Sequence, residues 1–194
     1  HVAREYLSTA LKYYRKAGSK RQQSRCLNDL AELDRFAGKY ADAEAGYIKA
    51  LHLKSALGDQ RFFVASLNLG IVYSETDRPV EARGELERAL RAVKVEGPPA
   101  LKGAISLILS HVYVQLGDEQ EWERTFQQGT DIIKETGYLD VDVARTTELA
   151  GRALLERGWN GAARKSLKFA RDHWKALERD DKATAVIELL SGIG

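Results

Sequence analysis

Cysteine and proline are scarce in this sequence and methionine is absent, and each of these shortages limits what the protein can be. The 194 residues include one cysteine, Cys26, so an internal disulfide is excluded. Cys26 lies among leucines, which is typical of a buried, inert thiol, and a lone cysteine favours a reducing, cytoplasmic setting. The prolines are Pro79, Pro98 and Pro99, so long helices are unobstructed elsewhere. Methionine is absent and the first residue is His1, from which we expect a fragment of a longer protein.

Long hydrophobic runs and a strong net charge are missing as well. No apolar run approaches the roughly 20 residues of a membrane-spanning helix, and no signal peptide opens the chain, so we expect no membrane partner. The formal net charge is +2, a balance that by itself favours neither an acidic nor a basic partner. Hydrophobic residues make up 44% of the chain, which is enough to bury a continuous core.

Small and large apolar residues recur at intervals of about 40 residues. The small positions are Ala3, Ala43, Ala82 and Ala163; large residues follow each by four, at Leu7, Tyr47, Leu86 and Leu167. A repeat of this length is one supersecondary unit that can bury its apolar face only against its neighbours. The periodicity therefore predicts a stacked solenoid.

Turn residues form two alternating series, and each series again has a period of about 40 residues. One series is Gly38, Asp77, Gly117 and Gly158, and the other is Gly18, Gly58, Gly97 and Gly137. Because such residues close helices, two series predict two helices in each repeat. The predicted helices span about 2–17, 20–37, 40–57, 60–76, 79–96, 99–116, 119–136, 141–157, 160–179 and 182–191, and no segment is typical of a strand.

Pairs of one large and one small residue precede the small positions in each repeat. The pairs are Leu30-Ala31, Leu69-Gly70, Leu109-Ser110 and Ala150-Gly151, and the positions twelve residues later are Ala43, Ala82, Trp122 and Ala163. This pattern resembles the tetratricopeptide repeat in its longer variety. The resemblance implies an all-α, right-handed superhelical solenoid of antiparallel helix pairs.

The resemblance divides the chain into a single array. Residues 1–18 are the second helix of a truncated repeat, and 19–58, 59–97, 98–137 and 138–180 are repeats one to four. Residues 181–194 are the first helix of a further truncated repeat. Trp122 and Gly129 depart from the pattern in the third repeat, and we expect its helix crossing to open or shift.

The resemblance also implies that a partner docks in the concave groove lined by the first helices. The residues aligned to that groove are Arg25, Asn28, Arg35, Leu67, Asn68, Ile71, His111 and Arg152. An apolar centre with charged flanks suits a peptide with aliphatic anchors and acidic ends. In the alternative interpretation, the apolar members only contact the next repeat.

Enzymatic chemistry has no support in the sequence. The four histidines are scattered over different repeats, and none has a partner at metal-site spacing. No phosphate-binding glycine loop or nucleophile motif occurs. We therefore expect a non-enzymatic protein-interaction module of a larger signalling or regulatory protein, without catalytic residues, metal, cofactor or small-molecule substrate.

Nucleic acid is the alternative partner. Basic residues cluster near the start of the chain and on the last full helix, and Trp159 or Trp174 could stack on bases. Acidic residues follow both clusters, which favours ordinary solvated helix faces instead. The terminal helices lack a neighbour on one side, so we also expect weak self-association through them.

Overall fold

Within the residues that the structure describes, the chain consists of α-helices, most of them joined by short turns. The computed structural model describes residues 2–57 and 63–193, without the side chains of residues 94–96. The helices are α1 (Val2–Lys16), α2 (Lys20–Phe36), α3 (Tyr40–Ser55), α4 (Phe63–Glu75), α5 (Pro79–Glu96), α6 (Pro99–Leu116), α7 (Glu119–Thr136), α8 (Val141–Glu156), α9 (Asn160–Ala176) and α10 (Asp180–Ser191). Strands are absent from these described ranges, so the prediction of an all-α chain is confirmed.

Two compact units divide the chain, His1–Gly97 and Pro98–Gly194. In the first unit α2 packs on α3 and α4 packs on α5, with α1 covering one side of α2. Small residues let these helices approach: Ala43 and Ala82 are fully buried, and a Cβ built at Gly46 would lie 2.7 Å from the Cβ of Ala31. Two of the repeated small positions, Ala43 and Ala82, are thus buried in this unit, whereas Ala3 on α1 is exposed.

In the second unit α6 packs on α7 and α8 packs on α9, while α10 lies against α9. Leu167 is fully buried here, and its side chain fills the space beside Gly151. A Cβ built at Gly151 would lie 2.5 Å from Leu167 Cγ. The α8–α9 pair therefore has the same large-against-small contact as Gly70 and Leu86 in the first unit.

Trp122 changes this contact in the α6–α7 pair. Its side chain is 1% exposed and stacks on Phe126, with ring centroids 5.3 Å apart. Farther along α7, a Cβ built at Gly129 would lie 2.6 Å from Leu107 Cγ and 3.0 Å from the carbonyl oxygen of Gly103. This pair thus has its large-against-small contact at Leu107 and Gly129, and the expected opening or shift of its crossing stays a prediction.

Two of the predicted turns differ from the expected ones, one in conformation and one in position. Gly97 ends α5 in an extended conformation, with φ −98° and ψ 160°, and not in a left-handed one, because Pro98 disfavours other conformations before it. Helix α9 ends at Ala176 and α10 begins at Asp180, since Glu178 takes the left-handed conformation with φ 57°. A left-handed glutamate carries no sequence signal of the glycine kind. The predicted stop at Gly58 lies outside the described residues.

The limits of the repeats stay a prediction. The helices of a continuous stack can be divided into repeats at either turn of each pair, and the alternation of helices alone does not choose between the two divisions.

Candidate partner-binding site

A pocket of about 350 Å³ lies in the first unit, where α2, α3 and the start of α4 meet. Its lining consists of Arg21, Arg25, Asn28, Asp29, Lys54, Phe63 and Val64. Helix α2 contributes the residues on successive turns, so two of the predicted groove residues, Arg25 and Asn28, lie here together. Three cationic side chains face one carboxylate, which makes the pocket basic.

The pocket has one charged wall and one apolar wall. Arg25 is exposed and can reach a bound anion, whereas Phe63 is 7% exposed and forms a fixed apolar surface. Val64 is 37% exposed beside it. This arrangement offers an ionic contact next to an aliphatic one.

An amide pair connects the pocket to the next first helix. The Nδ2 of Asn68 on α4 donates to the Oδ1 of Asn28 on α2 over 3.4 Å, a long hydrogen bond. Asn68 is 8% exposed, so its side chain is almost entirely buried among other residues of the protein. Of the predicted residues, Arg25, Asn28 and Asn68 are therefore close neighbours.

Arg35 lies at the far end of α2, and its side chain is 0% exposed. The guanidinium Nη1 is 3.6 Å from the Oε1 of Glu75 on α4, and the Arg35 Cζ stands 4.5 Å from the Phe36 ring centroid. Burial places this guanidinium between two helices of the same unit. The side chain of Arg35 therefore has no exposed atom with which it could contact a partner.

Leu67 and Ile71 are likewise buried, at 8% and 4% exposure. They lie one turn apart on α4, a helix whose described residues from Ala65 to Ser74 are all buried. A helix that is apolar all round is a core element. Both side chains are therefore packed inside the unit, and their contact with a partner stays a prediction.

The two remaining predicted residues belong to the second unit. His111 on α6 is buried, and burial together with the nearby charge of Arg145 lowers its pKa to about 4. Arg152 on α8 is half-buried and donates to Glu148 Oε1 from Nε at 3.1 Å and Nη2 at 2.8 Å. The other Glu148 oxygen accepts from Trp174 Nε1 at 2.9 Å.

Those contacts weaken the nucleic-acid alternative. Trp174 is 3% exposed and held by Glu148, so its ring is not available to stack on a base. Trp159 is half-buried, and the guanidinium of Arg157 lies 5.8 Å from its ring centroid. Trp174, at least, offers no open face of the kind that single-strand binding uses.

Sequence reasoning did not include Arg21, Asp29, Lys54, Phe63 or Val64 among the candidate binding residues. Phe63 and Val64 line the pocket because they begin α4. Lys54 comes from the last turn of α3. No spacing within α2 or α4 could indicate it, because its place depends on how α3 crosses α2.

Metal-binding clusters and membrane-spanning helices are absent from the described ranges. No group of three or more His, Cys, Asp or Glu side chains there could hold a metal ion. Cys26 is buried, and desolvation raises the pKa of its thiol. None of the helices, over the residues described, has both the length and the apolarity to cross a membrane.

Comparison with known proteins identifies the fold. No family model and no curated protein matches the sequence. Among solved structures, a Rap protein complexed with competence and sporulation factor is similar, with a TM-score of 0.67 and 18% identity over 98% of this chain and 57% of that chain. A signal-transduction ATPase with a tetratricopeptide repeat sensor from Pyrococcus horikoshii gives a TM-score of 0.65 and 15% identity, over 98% of this chain and 30% of that one.

A kinesin light chain from Podosopora anserina with tetratricopeptide-like repeats is also similar. Its TM-score is 0.64 and its identity 16%, over 91% of this chain and 87% of that chain. The chain thus has the all-α helical repeat solenoid fold of tetratricopeptide repeat proteins, as predicted. The chain spans little more than half the length of the Rap protein, so the activity of that whole protein does not transfer to this chain.

Proposed function

We propose, starting from this solenoid fold, that the chain is a non-enzymatic module that binds a segment of a partner protein. The observation that carries the proposal is the basic pocket between α2, α3 and α4, where Arg25 and Asn28 lie beside Phe63 and Val64. The Rap structure, which holds a bound factor, supports protein or peptide binding by this fold. We further infer a cytoplasmic place within a larger signalling or regulatory protein, in line with the lone buried cysteine.

The chemistry of the pocket defines the partner segment. An acidic side chain would pair with Arg25, and an aliphatic neighbour would contact Val64 and the edge of Phe63. Asn28 lies between these walls and could also pair with the backbone of an extended peptide. The segment we propose is therefore a short peptide with a carboxylate beside an aliphatic residue.

Selection from a random-peptide display library tests the proposal. The full chain is the bait, and we expect the enriched peptides to carry Asp or Glu next to Leu, Ile or Val. By calorimetry, Arg25→Ala should weaken binding of such a peptide roughly tenfold, the value of one charged contact. Arg83→Ala is the matched control, because Arg83 is an exposed arginine on α5 outside the pocket.

Three results would overturn this assignment. Enriched peptides without acidic residues would contradict the ionic contact, and equal losses for both arginine variants would show only general charge attraction. Tighter binding of oligothymidylate than of any selected peptide would favour the nucleic-acid alternative.

We also propose weak self-association through α1. Val2, Tyr6 and Tyr13 are 64%, 74% and 67% exposed, and their spacing places them on one face of the helix. Leu7 and Tyr14, elsewhere on α1, are half-buried and do not belong to this stripe. An exposed stripe of large apolar side chains is a usual contact surface between proteins.

The charges beside this stripe favour a second copy of the chain as the occupant. The first half of α1 carries the exposed acid Glu5, and the second half carries the exposed Lys12 and Lys16 along the same side of the stripe. When two copies of one helix pack antiparallel about a two-fold axis, Glu5 of each copy faces the basic half of the other. The stripe is thus self-complementary in charge as well as apolar.

A further inference from the structure

A second pocket, of about 280 Å³, lies in the second unit between α7 and α9. In the predicted division into repeats both are second helices, so this pocket lies outside the groove that the sequence predicts. Its residues are Phe126, Gln127, Thr130 and Lys134 from α7 and Lys165, Lys168, Phe169 and Asp172 from α9. Neither the periodicity of the chain nor the function proposed above accounts for it.

Aromatic rings form the floor of the pocket. Phe126 and Phe169 meet edge to face, with centroids 6.1 Å apart. Trp122 stacks on Phe126 at 5.3 Å, and His173 stacks on Phe169 at 5.5 Å. Because each phenylalanine is fixed by a stacked neighbour, the apolar floor is preorganised and costs little ordering on binding.

Polar groups of the α7 wall are already satisfied. The Oγ1 of Thr130 donates to the carbonyl oxygen of Gln127 over 3.0 Å. The Nε2 of Gln127 donates to Asp131 Oδ1 over 2.8 Å. An apolar group entering the pocket would therefore leave these two side chains with their hydrogen bonds.

The rim is basic. Lys134, Lys165 and Lys168 are all exposed, and only Lys165 forms an ion pair within the described residues, with Glu123 at 2.7 Å. The single acid of the lining, Asp172, has its Oδ1 2.8 Å from the guanidinium of Arg171. The charged groups of Lys134 and Lys168 are thus exposed to solvent at the edge of an apolar floor.

We propose that this pocket is a second binding site, which takes an acidic peptide segment through one aromatic side chain. The aromatic group would pack against the edges of Phe126 and Phe169, and the flanking carboxylates would form ion pairs with Lys134 and Lys168. A nucleic-acid strand fits less well, because Phe126 is 6% exposed and stacked on Trp122, whereas base stacking needs an open ring face.

An amide NMR titration of the isotope-labelled full chain tests the proposal. The probe is a synthetic Glu-Asp-Phe-Asp-Glu peptide, with Glu-Asp-Ser-Asp-Glu and Lys-Lys-Phe-Lys-Lys as comparison peptides. We expect saturable shifts on α7 and α9 with the first peptide alone. The double variant Lys134→Ala/Lys168→Ala should weaken binding roughly five- to tenfold, the effect of two exposed ion pairs.

A matched variant makes the test specific. Lys175→Ala/Lys182→Ala removes two exposed lysines of the same unit from outside the pocket. It should bind the phenylalanine peptide within about twofold of the wild-type affinity.

The proposal is overturned if the two lysine double variants lose affinity equally, since attraction would then be unspecific. It is also overturned if the serine peptide binds as well as the phenylalanine peptide, or if the shifts lie away from α7 and α9. Saturable binding of oligothymidylate that displaces the peptide would identify a nucleic-acid surface instead.

Discussion

Arg35 connects α2 and α4 of the first unit from inside the protein. Its charge is compensated by Glu75, which is close in space although 40 positions away in sequence. A buried charge without a partner destabilises a protein strongly, so this pair constrains how α2 and α4 are placed. The contact explains why an arginine stands at an aligned groove position without pointing into a groove.

His111 is the residue whose protonation the fold opposes most clearly. Its Nδ1 has no hydrogen-bond partner among the described atoms, and burial with Arg145 nearby lowers its pKa from 6.5 to about 4. The folded chain therefore binds this proton less readily than the unfolded chain. The stabilising effect is complete above pH 6.5 and is lost as the pH falls from there towards about 4.

We predict that this loss reaches roughly 3 kcal/mol, at about 1.4 kcal/mol for each pKa unit. The measurement is urea unfolding of the wild type and of His111→Leu, from about pH 7 down to about pH 4.5. Because the carboxylates titrate in both proteins, the difference between the two pH profiles isolates the contribution of His111. The unfolding free energy of the wild type should fall more steeply with acid than that of the variant. Parallel pH profiles would contradict the prediction.

At the scale of the element, helix pairs are held by large residues against small ones. Gly70 on α4 faces Leu86 on α5, and a Cβ built at Gly70 would lie 2.6 Å from Leu86 Cγ. Leu86 is fully buried and has no free space to move into. Glycine is therefore required there by the close approach of two helices, although it weakens the helix itself.

Two glycine substitutions in the same helix pair separate packing from helix propensity. Gly70→Ala should lower the unfolding free energy by roughly 1–3 kcal/mol through overpacking against Leu86. Gly84→Ala, in the interior of α5, meets no atom within 4 Å and should raise it by roughly 0.5–1 kcal/mol. Thermal and urea unfolding measure both, and a stabilising Gly70→Ala would show that α4 and α5 do not approach as described.

At the scale of the whole molecule, the apolar stripe on α1 bears on the oligomeric state. We predict a weak dimer with a dissociation constant of roughly 0.1–1 mM, as expected for a small interface. Sedimentation velocity over a concentration series should show it. Glu5→Lys should weaken it, because a cation would then face Lys12 and Lys16 of the second copy.

Tyr6→Ser/Tyr13→Ser should abolish the association while leaving helicity unchanged, since both side chains are exposed. Val80→Ser, which removes an exposed apolar residue from α5, is the control and should leave the dimer intact. A strict monomer at the highest concentration of the wild type would exclude this contact, and an unchanged dimer in the double variant would place it elsewhere.

Helices and their contact positions were determined by the sequence itself. The start of α6 follows from Pro98 and Pro99, and the burial of Ala43 and Ala82 follows from their place in a repeat. These features depend on local backbone preference and on a periodicity that one helix face must satisfy. Both are readable along the chain without knowledge of distant contacts.

The candidate sites, in contrast, were decided by the tertiary structure. Whether an arginine points outward, as Arg25 does, or inward, as Arg35 does, depends on a carboxylate supplied by another helix. Lys54 enters one pocket, and Phe126 meets Phe169 in the other, only through helix crossings. The spacing of residues fixes which face of a helix a side chain occupies, but the distance between helices is set by packing volume and charge pairing across the whole unit.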